Sequence, residues 1–79
     1  MTADVFAALA SPVRRELTAL LLDGPRPVND LAAHFSMSRP SVSEHLKVLR
    51  DAGLVHSERD GTHVRHRLTS RGRHLLMPP

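Results

Sequence analysis

Ser38-Arg39-Pro40-Ser41-Val42-Ser43-Glu44-His45-Leu46-Lys47-Val48-Leu49-Arg50-Asp51-Ala52-Gly53-Leu54-Val55 is the stretch that decides the fold. Ser38 is a good N-cap, Pro40 is tolerated inside a first turn, and Gly53 suits the left-handed position just past a helix end. The spacing predicts a helix from Arg39 to Ala52. At about 100° per residue, Val42, Leu46 and Leu49 fall within a narrow arc and form its core face. The opposite face carries Pro40, Glu44, Lys47 and Asp51, flanked by Ser41 and Ser43. Ser38 and Arg39 project from the N-terminal end.

Upstream, Val28, Leu31, Ala32 and Phe35 predict a short helix over 28–35, with a break at Ser36-Met37. Ser11-Pro12 starts another helix that runs to about Leu22. Its buried stripe is Val13, Leu17, Leu20 and Leu21, with Arg14, Arg15 and Glu16 facing out. Asp23-Gly24-Pro25 stops it. The chain begins with a further helix, capped by Thr2, with Asp4 in the first turn and Val5, Phe6 and Leu9 at helical spacing. Downstream of Gly53 the period changes to two. Leu54–Arg59 reads as a strand, Asp60-Gly61 as a tight turn and Thr62–Leu68 as the return strand. Val64, His66 and Leu68 share one face of that strand; His63, Arg65 and Arg67 share the other. Thr69 caps a last helix from Ser70 to about Met77, and Pro78-Pro79 ends it. The expected fold is mainly α with a small β-hairpin, in the order α-α-α-α-β-β-α. Two short helices across a tight break, followed by a basic hairpin, make the pattern of a winged helix-turn-helix. We read residues 1–79 as a single such domain, with the helix-turn-helix at about 28–52 and the wing at about 54–68.

Composition narrows the function. With 79 residues, such a chain buries a little over ~60% of its unfolded surface, so a partner chain would help it. The absence of Cys excludes disulfides, thiolate metal sites and a cysteine nucleophile. Phe6 and Phe35 are the only aromatic residues, which argues against stacking on single-stranded bases. The apolar stretches are too short for a membrane span and no signal peptide is visible, so a cytoplasmic protein with no membrane partner is expected. The net charge is +3, and its distribution says more. From Gly61 onward stand Arg65, Arg67, Arg71 and Arg73, three of the six His and no carboxylate, whereas the first 60 residues carry 7 basic and 8 acidic side chains. A basic C-terminal third suits a polyanion such as DNA, or is simply a solvated Arg-rich surface.

A helix with a small polar face can lie deep in the major groove. Arg39 has the fork to bond O6 and N7 of a guanine, and the free amides of the helix start suit a phosphate. Glu44 either accepts from a cytosine amino group or is a solvent-facing charge paired with Lys47 or Arg50. In the hairpin, Arg59, His63 and Arg65 suit an A·T-rich minor groove; the alternative is a charged hairpin that guards its own edges.

The segment SVSEHLKVLRDAGLV resembles the recognition helix of the ArsR-type transcriptional repressors, and FAALASPVRRELTALLLDGPRPVNDLA is similar to the family's upstream helices. The likeness covers about residues 5 to 68. The ending LTSRGRHLL resembles the close of the wing in MarR-type regulators. The ArsR resemblance implies a homodimer reading double-stranded DNA at a palindromic operator. It puts base and phosphate contacts on Arg39, Pro40, Ser43 and Glu44, with Ser38, Ser41 and Lys47 nearby. It also raises the question of metal sensing. One family site uses a Cys pair, and Pro27 and Asn29 stand at those positions. Another uses carboxylates and His on the last helix, which here has His74 and no Asp or Glu. His63 and His66 point to opposite faces of a strand. No metal site, cofactor or catalytic set is therefore expected, and the chain does not read as an enzyme. Any small-molecule effector is unspecified. Val5, Phe6 and Leu9 are expected to meet Leu75 and Leu76 at the dimer interface, or else to complete the monomer core. Two rival functions remain at this stage: a winged-helix protein-docking module, and a repressor released by an effector or metal at a non-standard site.

Overall fold

The computed structural model describes residues 4–76. Thr2 and Met77, assigned above to the first and last helices, lie outside them. The elements are α1 (Val5–Ala8), α2 (Pro12–Leu21), α3 (Val28–Phe35), α4 (Arg39–Asp51), β1 (Val55–Asp60), β2 (His63–Leu68) and α5 (Ser70–Leu76).

Helix starts follow the caps. Ser11 and Ser38 accept from the amides of Arg14 and Ser41, each with proline in the following turn. Thr69 Oγ1 accepts from the Gly72 amide at 3.0 Å. In α1 the cap is Asp4, which accepts from Phe6 N at 2.9 Å, so this residue precedes the helix instead of lying in its first turn. The helix is a single turn, because Ser11-Pro12 restarts the chain at once. Helix ends close by backbone. At α4, Leu54 N bonds Leu49 O and Gly53 N bonds Arg50 O, both at 2.9 Å, with Gly53 at φ 77°. That pair of bonds is a Schellman closure. The same closure ends α3, with Met37 N on Ala32 O and Ser36 at φ 54° in the glycine's place. It sets the sharp break between α3 and α4.

Leu17, Leu21, Leu31, Val42, Leu46, Leu49 and Leu54 are fully buried and form the core, with Val55 and Leu68 at the foot of the hairpin. Each such leucine contributes about 1.5–3 kcal/mol relative to exposure. The expected outward-facing Arg14 and Arg15 have other work. A one-turn helix leaves its last carbonyls unpartnered. Arg14 donates to Ala8 O at 2.5 Å, Ala7 O at 3.2 Å and His45 Nδ1 at 3.2 Å, and Arg15 donates to Leu9 O at 2.9 Å and Ala10 O at 3.0 Å. Both side chains are therefore fastened to the α1–α2 corner, and Arg14 also ties that corner to α4.

The hairpin turn is Gly61-Thr62, one residue beyond the Asp60-Gly61 turn expected from sequence. Gly61 has φ 63° and Thr62 is not in the left-handed region, which fits a type II′ turn with glycine first. Moving the turn by one residue moves every cross-strand partner by two. Ser57 then opposes His66, Glu58 opposes Arg65, and Arg59 opposes Val64. A further pairing was not anticipated: Arg26 and His66 exchange both backbone bonds at 2.9 Å, adding a one-residue third strand to the wing. The residue before a proline is pushed towards extended backbone, so Arg26-Pro27 carried that signal.

Candidate nucleic-acid interface

Two surfaces make the candidate site: the outward face of α4 and the wing. Val42, Leu46 and Leu49 anchor α4 from below, and Ser38, Arg39, Pro40, Ser41, Ser43, Glu44 and Lys47 are all exposed above. Their presentation follows from the helical period, since the two sets alternate around one cylinder. Arg39 sits at the first helical position, and its Nη1 donates to Asn29 Oδ1 of α3 at 3.5 Å. This long bond steers the guanidinium without consuming its fork. Asn29 thus serves as a guide for Arg39.

Lys47 is paired with Asp51 at 3.0 Å, one turn on, and Arg50 donates to Ser57 Oγ at 3.2 Å. Neither reaches Glu44. The solvent pairing weighed for Glu44 is thus not made among the described residues, and its carboxylate stands unaccompanied on the polar face.

In the wing, Arg59, His63 and Arg65 are all exposed, but they do not share a face. Cross-strand partners lie on one side of a sheet. Arg59 lies with Val64, Ser57 and His66; His63 and Arg65 lie opposite, with Asp60 and Glu58. On that outer face Arg67 Nε donates to Glu58 Oε1 at 2.7 Å, and His56 Nε2 is 3.9 Å from the same oxygen. Arg67 is therefore engaged, whereas Arg65 has no side-chain hydrogen bond or ion pair among the described residues. The inner face holds His66, which is 7% exposed. Burial first, and the Arg50 charge second, hold its imidazole below the usual histidine pKa. Sequence placed His66 on the strand face of Val64 and Leu68 but gave no sign of its partners, because they depend on the shifted register.

Of the apolar residues expected at a dimer interface, Val5, Leu9 and Leu76 pack against the core, while Phe6 is 85% and Leu75 48% exposed. Among the described residues these are the large apolar side chains left to solvent. No group of three or more His, Cys, Asp or Glu side chains comes together among the described residues.

Comparison with known proteins agrees with this geometry. The family model for the bacterial regulatory proteins of the arsR family matches residues 11–57. The transcriptional repressor SdpR of Bacillus subtilis is 36% identical over 67 residues, which are 85% of this chain and 74% of that protein. The repressor SmtB of Mycobacterium tuberculosis is 40% identical over 65 residues, covering 82% of this chain and 48% of that protein. The chain thus spans about half of SmtB. Among solved structures, the homodimeric winged helix-turn-helix DNA-binding domain of a Mycobacterium bovis regulator superposes with TM-score 0.83 at 32% identity, over 91% of this chain and 67% of that one. These relatives are regulators and not enzymes. With a family match over more than half its length, on the helices that build this site, the chain belongs to the ArsR family of bacterial regulatory proteins.

Proposed function

We propose that this domain acts as a dimeric repressor that reads a palindromic operator, with α4 in the major groove and the wing alongside. The observation that carries this is the exposed face of α4. It presents Arg39, Pro40, Ser41, Ser43, Glu44 and Lys47 on a helix locked from behind by fully buried Val42, Leu46 and Leu49. A protein-docking surface would instead need large apolar or aromatic anchors at its centre, and this face has none. Exposed Phe6 and Leu75 support pairing of two copies through α1 and α5. The homodimeric M. bovis domain supports the same arrangement.

The test is selection of duplexes from a randomised pool by the purified protein. The expected motif has two dyad-related half-sites whose centres lie about 34 Å apart, one turn of DNA. No enrichment over bulk genomic competitor at moderate salt would overturn the reading. A second expectation concerns the wing. Arg65→Ala should weaken binding to all selected duplexes alike and lower the slope of log K against log salt by about 1. An unchanged slope, measured by titration at several salt concentrations, would take Arg65 out of the interface.

A further inference from the structure

The wing is fastened to α4 by a short chain of side chains that the shifted hairpin register brings together. Arg50, in the last turn of α4, donates from Nη1 to Ser57 Oγ at 3.2 Å. Ser57 Oγ lies 2.7 Å from Nδ1 of buried His66. A guanidinium only donates, so the Ser57 oxygen accepts from Arg50. With His66 neutral and its proton on Nε2, Nδ1 is open to the Ser57 proton, and the hydroxyl serves both neighbours at once. The backbone of His66 also closes the bridge to Arg26. One residue therefore joins α4, both wing strands and the segment leading into α3.

We propose that Ser57 and His66 are positioning residues for DNA reading: neutral His66 holds the wing in its place against α4, and protonation of His66 releases the wing and lowers affinity for duplex DNA. The proposal rests on the function proposed above. On a protonated ring Nδ1 donates, so the Ser57 oxygen must accept from two cationic groups and its own proton loses the ring as acceptor, while the buried imidazole takes on a charge beside that of the exposed Arg50.

The charges around the ring leave it without a compensating anion. Arg50 of α4 reaches the relay. On β1, Arg59 shares the face of Ser57 and His66 and adds a cation there, while His56, Glu58 and Asp60 lie on the other face of the sheet. Arg26 turns its guanidinium to Leu20 O at 3.3 Å and Asp23 at 3.8 Å. On α2 and α3, Arg14 and Arg15 serve carbonyls of the α1–α2 corner, Glu16 lies 3.6 Å from His34, and Asp30 is exposed. On α5, Arg73 reaches Leu22 O, and Arg71 and His74 are exposed. No carboxylate is paired with His66 among the described residues.

The sign of the effect makes it distinctive. Acidification makes a protein more positive, which by itself tightens binding to a polyanion. A loss of affinity as pH falls runs against that trend and singles out a ring whose neutral form is needed. His45, whose Nδ1 accepts from Arg14, is the one other ring with such a role, and His45→Asn is its control.

The experiment measures affinity by fluorescence anisotropy at pH 7.5 and 5.5 and fixed ionic strength. The probe is a duplex that the unmodified protein selected at pH 7.5, and circular dichroism checks the fold at both pH values. Affinity is expected to fall at least about threefold, because the ring takes a proton more readily in the released wing than in the fastened one, where burial and Arg50 disfavour its charge. His66→Asn keeps an acceptor near the position of Nδ1 and takes no proton, so its affinity should hold or rise at pH 5.5. Ser57→Ala should bind more weakly at pH 7.5 and lose most of the pH response; it carries the test if the Asn variant does not fold. An equal fall in His66→Asn, its disappearance in His45→Asn, or tighter binding by the unmodified protein at pH 5.5 would overturn the proposal. Hydrogen-exchange protection factors in β1 and β2 read the fastening without DNA. They should drop at pH 5.5 in the unmodified protein and not in His66→Asn, and equal protection would also refute the relay. If no duplex is ever selected, the functional reading fails while this exchange result still decides the relay.

Discussion

Gly72→Ala should destabilise the domain by about 1–3 kcal/mol, although the same change inside most helices is stabilising. Residue 72 lies within α5, where alanine outranks glycine by about 1 kcal/mol in helix propensity. Packing reverses the sign. A Cβ at this position would stand 2.5 Å from Leu54 O and 3.3 Å from Leu54 Cα and C. That backbone has no freedom to retreat. Leu54 N is held by Leu49 O in the Schellman closure, Leu54 O accepts from Thr69 N at 3.0 Å, and Gly53 O accepts from Thr69 Oγ1 at 2.7 Å. The remaining response is for α5 to lift, which opens the contacts of Leu76 and uncovers Leu68 and Leu54. At the usual ~0.05–0.15 kcal/mol per residue, a domain of this size has only about 4–12 kcal/mol in total. The midpoint should drop by about 4–8 °C per kcal/mol lost. Thermal and urea melts at two protein concentrations would check this and separate a packing loss from a dimerisation loss. A midpoint equal to or above that of the unmodified protein would mean that α5 is not seated on the α4–β1 junction.

The parts legible in the sequence were those governed by local chemistry. The α4 boundaries, its buried and polar faces, the Ser36 break and the caps at Ser11, Ser38 and Thr69 all depend on residues within one or two turns of each other. The parts that escaped depend on long-range partners. Arg14 looks like a solvated charge until Ala7, Ala8 and His45, 31 residues away, are placed around it. The hairpin turn hinged on whether Gly61 is the first or second central residue. Asp-Gly favours the second position, whereas the turn formed uses glycine first. That single step decides whether Ser57 faces Val64 or His66, and Glu58 His63 or Arg65. The relay behind the wing was therefore beyond reach of a reading that had the strands right and the turn one residue early. The site residues on α4 were placed on one exposed face as expected; those of the wing lie on two faces, a split that either register gives, because a two-residue shift keeps every side chain on its own face.

Arg39→Ala should cost about 1–3 kcal/mol on the selected duplex, roughly 5- to 150-fold in affinity, and relax preference at one base position. The size follows from the residue's place. Arg39 is the first residue of α4, exposed, beside the Ser38 cap, and its guanidinium is steered by Asn29 at a distance that leaves the fork available. Lys47 on the same face is already tied to Asp51, and Arg50 to Ser57, so Arg39 is the cation of α4 with the least competition from its own helix. Replacement by lysine separates the two roles an arginine can play on DNA. Lysine keeps a point charge for a phosphate but cannot match the two acceptors of a guanine edge. If Arg39 reads a base, Arg39→Lys should stay nearly as impaired as alanine on the selected duplex and should bind unrelated duplexes almost as well as the unmodified protein. Equal losses for Arg39→Ala on every duplex, restored by lysine, would make Arg39 a phosphate contact and move base reading to Ser41, Ser43 and Glu44. The comparison needs competition binding on the selected duplex and on a set carrying single base changes at one salt concentration, because the phosphate contribution changes with salt and the base contribution does not.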